Sequence, residues 1–117
     1  GVSFGSHGMR HHYLPENNDV VRRQEIFDSK RIIEDKLGRR VDIYAYAVGG
    51  FNDNIQAMVR AAGYKAALTT NRGYDRFNRD VYQLQRIRVS DRDRSSFVLW
   101  AKLSGYYNLF RSAKRPE

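Results

Sequence analysis

Apolar positions recur along this chain with two different periods, and the two take turns. Val41-Asp42-Ile43-Tyr44-Ala45-Tyr46-Ala47 alternates with a period near two and is rich in residues that favour strands. Val2-Ser3-Phe4, Lys65-Ala66-Ala67-Leu68-Thr69-Thr70 and Gln83 to Val89 read as three further strands. Between them the spacing becomes helical. From about Asn18 to Leu37, Ile26, Ile33 and Leu37 recur on one side, Asp19 stands at an N-cap position, and Gly38 falls where a left-handed C′ residue belongs. Asn52 caps a second expected helix whose stripe is Ile55, Met58, Val59 and Ala62, with Gly63 at its end. Ser90 or Asp91 opens a last helix carrying Phe97, Trp100 and Leu103, closed by Gly105. The basic tail from Phe110 to Glu117 is expected to fray.

The resulting order, βαβαβ-loop-βα, predicts an α/β fold with parallel strands and crossover helices. In such folds functional groups gather beyond the carboxyl ends of the strands. The loop after Phe4, the Ala47-Val48-Gly49-Gly50 turn and the Thr69-Thr70 end all fall on that rim. Asn71 to Asp80 is too polar to be buried and reads as a surface loop.

Composition narrows the picture. With 117 residues, 41% hydrophobic, this is one domain or part of one. No stretch approaches the ~20 apolar residues of a membrane span. The chain opens inside an apolar alternating segment and without Met, which reads as a piece cut from a longer chain. The absence of cysteine excludes disulfides and thiolate ligands, leaving His, Asp and Glu as metal donors. The net charge of +8 permits an anionic partner. The basic residues are interleaved with acidic ones and form no tight run, so they read as solvated helix faces rather than as a footprint for nucleic acid.

All three histidines lie in Gly5-Ser6-His7-Gly8-Met9-Arg10-His11-His12-Tyr13-Leu14. If this stretch turns once as a helix, His7 and His11 project from the same side and can share a metal ion. The same spacing also arises by chance in solvated loops. His12 points elsewhere on such a turn.

These residues bring a family into view. The stretch Gly5 to Leu14 resembles the second motif of the polysaccharide deacetylases, the NodB-homology or carbohydrate esterase family 4 group. Glu25-Ile26-Phe27-Asp28-Ser29-Lys30 with Leu37-Gly38 is similar to the helix that follows, and Ala45-Tyr46-Ala47-Val48-Gly49-Gly50-Phe51 to the third motif. Ala61 to Ala67 and Arg86 to Val89 continue the match in order, so the resemblance spans about residues 1 to 110. It implies the C-terminal part of a distorted seven-stranded (β/α) barrel, whose first strands are missing here. The implied activity is metal-dependent removal of N-acetyl or O-acetyl groups from a polysaccharide, outside the cell or in its envelope. His7 and His11 match the metal-binding histidines, the metal being usually zinc in that family, and the Val48 N–H matches the oxyanion donor.

The departures carry equal weight. The family's paired aspartates have no counterpart in these residues and would lie upstream of Gly1, so the metal site is incomplete in this chain. Ala47 stands for the expected proline and Val48 for the expected tyrosine, and no histidine follows His12 to match the late leucine-x-histidine motif. The chain alone is therefore expected to catalyse poorly, and a degenerate glycan-binding module is the alternative reading. Tyr46 and Tyr74 are the candidate substrate-binding rings, with Tyr44, Phe51 and Tyr64 more suited to packing. Asp75 and Asp80 are candidate substitute carboxylates. A partial barrel also leaves strand edges open, which predicts either company from the missing N-terminal half or self-association.

Overall fold

The computed structural model describes residues 1–71, 79–90 and 93–104. The first helical stretch is continuous from Asp19, in three parts: α1 (Asp19–Arg23), a π-helical turn (Gln24–Asp28) and α2 (Ser29–Leu37). The residue before Asp19 caps it, the Asn18 side chain accepting the Val21 N–H at 3.0 Å. Gly38 ends it as expected, at φ 62° with its N–H on the Glu34 carbonyl. The π turn, which period counting does not foresee, shifts the register of the helix. Ile26 is fully buried, Ile33 only partly and Leu37 is exposed.

Three parallel strands follow in the order β1 (Ile43–Ala45), β2 (Ala66–Thr69), β3 (Leu84–Gln85). Ile43 pairs with Ala66, and Leu68 with Leu84. Helix α3 (Asp53–Ala61) makes the β1–β2 crossover, with Asn52 accepting the Ile55 N–H at 3.0 Å as its cap. The expected strand at Val2-Ser3-Phe4 is not formed. A single parallel bridge, Ser6 to Tyr44, takes its place on the free side of β1, and Val2 and Phe4 are exposed. A strand needs a ladder on which to lie, and among the described residues nothing pairs with residues 1–5 on their other side.

The fourth expected strand shortens to two residues, since Arg86 to Ser90 leave the sheet exposed. The last helix, α4 (Ser96–Leu103), begins after Ser95 rather than Ser90, whose N–H and hydroxyl instead bond to Asp93. Gly105, the tail and residues 72–78 of the polar loop lie outside the described residues. The core is built from Leu14, Ile26, Val41, Tyr44, Tyr46, Phe51, Ile55, Val59, Tyr64 and Ala67. Tyrosines occupy it because two of them find carbonyls: Tyr64 donates to Ile26 at 3.0 Å and Tyr46 to Tyr82 at 2.9 Å. Burial pushes the hydroxyls of both, and that of Tyr44, above the usual phenol range. No helix among the described residues is long and apolar enough to cross a membrane.

Candidate metal centre

The histidine loop leaves the sheet at Ser6. Ser6 N–H donates to Ile43 and its carbonyl accepts from Ala45, both at 2.8 Å, which delivers His7 to the carboxyl end of β1. There His7 Nδ1 meets the Ala45 carbonyl at 2.7 Å. A carbonyl only accepts, so Nδ1 carries the proton, and Nε2 is the ring nitrogen left to take a ligand. Fixing one ring nitrogen on a backbone oxygen is how metal-ligating histidines are oriented.

His11 reaches His7 by a different route from the helical turn expected. Residues 7–13 form no helix. Gly8 at φ 82° and His11 at φ 60° reverse the chain, and the two imidazoles meet edge to face with centroids 4.8 Å apart. The pairing survives while its supposed cause does not. The left-handed turn at His11 also parts it from His12, whose Nδ1 lies 3.3 Å from Asn17 Oδ1 beside the start of α1.

Two imidazoles amount to half of the donors that a tetrahedral metal site requires. Among the described residues no group of three or more His, Asp or Glu side chains is placed to hold a metal. Any metal ion held by this pair would need further oxygen donors. Asp80 is not one of them. It stands before β3, at the opposite end of the parallel strands, and accepts from Tyr82 N–H at 2.9 Å, Gln83 at 2.9 Å and Arg60 at 3.2 Å. Asp75 lies outside the described residues.

The rim gathers as the strand order predicts. The 3₁₀ turn Ala47–Gly49 follows β1, and two threonines at the end of β2 tie it down: Thr69 Oγ1 donates to Gly49 O at 2.8 Å and Thr70 Oγ1 to Val48 O at 3.4 Å. Val48 sits at φ 56°, ψ 4°, a conformation that a β-branched residue rarely adopts. Its side chain is 58% exposed, and its N–H has no acceptor among the described residues. Such strain persists only where neighbours hold it, often at functional sites.

Tyr46 is a correction. Only 2% exposed, it stacks on Phe51 at 4.9 Å with its hydroxyl committed to Tyr82, so it packs the core and has no open face for a sugar. Tyr74 lies outside the described residues. One residue has a role that the sequence pattern did not show. Glu25, on the π turn, is 2% exposed and holds the backbone between the two histidines. Glu25 stands in the segment that resembles the family's helix, but a carboxylate next to Ile26 looks there like any surface glutamate.

The sequence model of the polysaccharide deacetylase family matches residues 1–67. A protein of Bacillus subtilis (strain 168), YxkH, assigned to the polysaccharide deacetylases, is 29% identical over 90 residues, which is 77% of this chain and 32% of YxkH. Among solved structures, the Streptococcus pyogenes deacetylase PplD in complex with acetate is similar at a TM-score of 0.74 and 29% identity, over 87% of this chain and 45% of that one. BC0361, a polysaccharide deacetylase from Bacillus cereus, is similar at a TM-score of 0.62 and 25% identity, over 74% of this chain and 28% of its own. This chain thus spans between 28% and 45% of the length of these relatives. A helix-flanked parallel sheet with a histidine loop at its carboxyl rim is the frame on which the matched sequence lies, and the chain belongs to the polysaccharide deacetylase family.

Proposed function

We propose that this chain is the C-terminal portion of a distorted (β/α) barrel that removes N-acetyl or O-acetyl groups from a polysaccharide with the help of a divalent metal, zinc first among the candidates. The observation that carries the reading is the His7–His11 ring pair with His7 Nδ1 anchored on Ala45. The acetate in the PplD complex supports an acetyl group as the one released.

When bound, the metal supplies polarisation of the acetyl carbonyl and a water whose pKa is lowered toward neutrality. His7 and His11 would hold it, His7 through Nε2. The Val48 N–H, left without an acceptor on the rim, donates to the carbonyl oxygen as that oxygen gains charge. The remaining oxygen ligand and the general base come from residues other than those described. Tyr74 is the aromatic candidate for a sugar ring.

The test is acetate release from an N-acetylated oligosaccharide by the intact protein. His7→Ala and His11→Ala are each expected to lower the rate by two orders of magnitude or more while leaving the fold in place. Full activity in either variant would remove the histidine pair from the mechanism. Glycan retention by the wild-type protein without acetate release would establish instead the non-catalytic glycan-binding module, which the Val48 and Ala47 departures from the family motif favour.

A further inference from the structure

We infer that Glu25 is a positioning residue for the candidate metal centre, its carboxylate setting the geometry of the loop that joins His7 to His11. The inference rests on the reading of those histidines as ligands. Met9 N–H donates to Glu25 Oε2 at 2.8 Å, and Arg10 N–H lies 3.1 Å from both carboxylate oxygens. Two successive amides thus converge on one anion across 15 and 16 residues, a backbone nest filled by a side chain. The fit around it is close. A Cβ on Gly8 would stand 2.3 Å from Oε2, so only glycine lets the loop approach.

The π turn explains how a helix can present this group. Glu25 and Ile26 are adjacent and both buried, Ile26 in the core and Glu25 against the loop. An extra residue in the turn widens the inward arc enough to admit both. The helix adds a second hold one turn later, Ser29 Oγ meeting Ser6 Oγ at 2.7 Å. His7 has its own anchor on Ala45, whereas no side-chain hydrogen bond orients the His11 ring among the described residues. The position of His11 therefore follows from the backbone at residues 8–10, which Glu25 holds.

Removing an outer partner of a metal ligand characteristically weakens metal binding by about 10–100-fold. The experiment compares wild type, Glu25→Gln and Val59→Ala in the intact protein, by zinc competition against a chromophoric chelator. Val59→Ala cuts a cavity in the core on α3 and removes none of the hydrogen bonds that hold the loop, so it serves as the control for loss of stability. Glu25→Gln keeps the shape with one acceptor oxygen and is expected to lose zinc affinity at least tenfold, with Val59→Ala within twofold of wild type. Equal losses in the two variants, or none in Glu25→Gln, overturn the positioning role.

Wild-type protein that binds no zinc overturns the metal reading, and amide exchange in the metal-free protein then decides the clamp by itself. Met9 and Arg10 have exposed side chains, yet their amides should exchange slowly in wild type and at least tenfold faster in Glu25→Gln than in Val59→Ala. If Glu25→Gln does not fold, the wild-type rates suffice. Protection of both amides upholds the clamp, and free exchange of either sinks it.

Discussion

Val48 holds an exposed side chain on a backbone that favours glycine. The left-handed conformation costs roughly 1–2 kcal/mol for a residue with a Cβ, whereas glycine adds roughly 0.4–1 kcal/mol of entropy to the unfolded chain. The first exceeds the second, and little packing is lost from so exposed a position. Val48→Gly is therefore expected to stabilise the protein by about 1 kcal/mol, read as a rise in thermal midpoint of about 4 °C. An unchanged or lower midpoint would show that the turn is not strained. Ala47 makes the same point from the other side. The 3₁₀ turn forms without the proline that the family motif carries, because Thr69 and Thr70 hold its carbonyls from the neighbouring strand.

At the scale of elements, the join between α2 and β1 depends on charge. Lys30 bonds both Glu34 and the Val41 carbonyl, and Glu34 Oε1 accepts the Val41 N–H at 2.8 Å. The Lys30 ammonium and that N–H hold the Glu34 carboxyl below its usual range. A carboxyl lowered in the folded state contributes stability above its unfolded pKa of about 4.3, and loses it as the pH falls through the folded value. Thermal midpoints should thus fall on acidification below about pH 4.5, and Glu34→Gln should flatten part of that slope. An identical slope in the variant would show that the pair does not carry the acid sensitivity. The flattening is partial because Asp42, bonded to Lys65, and Asp93, bonded to Lys102, are held low in the same way.

For the molecule as a whole, the sheet has two sides still open. Among the described residues nothing pairs with the outer edge of β3 or with the far side of the Ser6 bridge. Val2, Phe4, Ile87, Val89, Phe97, Trp100 and Leu103 stand exposed in the same structure. Open edges beside apolar surface invite pairing. Polypeptide 1–117 by itself is expected to self-associate, giving an apparent mass by light scattering that rises with concentration. A monodisperse monomer at high concentration would rule this out. Strands supplied by the rest of a longer protein would suppress the association by closing the same edges.

Alternation and helical spacing, with Asn52 and Gly38 as punctuation, determined from the sequence alone the parallel α/β order and the end of the sheet on which the loops collect. These signals are local, carried within a few residues of one another, and the fold honours them at β1, α3 and β2. The histidine pair was legible as a pair, but its geometry was not. Positive φ at Gly8 and His11, rather than a helical turn, brings the rings together, and that depends on Glu25 arriving from a helix well downstream in sequence. Tyr46 shows the same limit. Its place at the end of β1 was visible, whereas burial against Phe51 and Tyr82 is a property of the closed core. Contacts between residues distant in the chain have no period to betray them, so the π turn, the Glu25 clamp and the burial of Tyr46 were decided only when the tertiary structure formed.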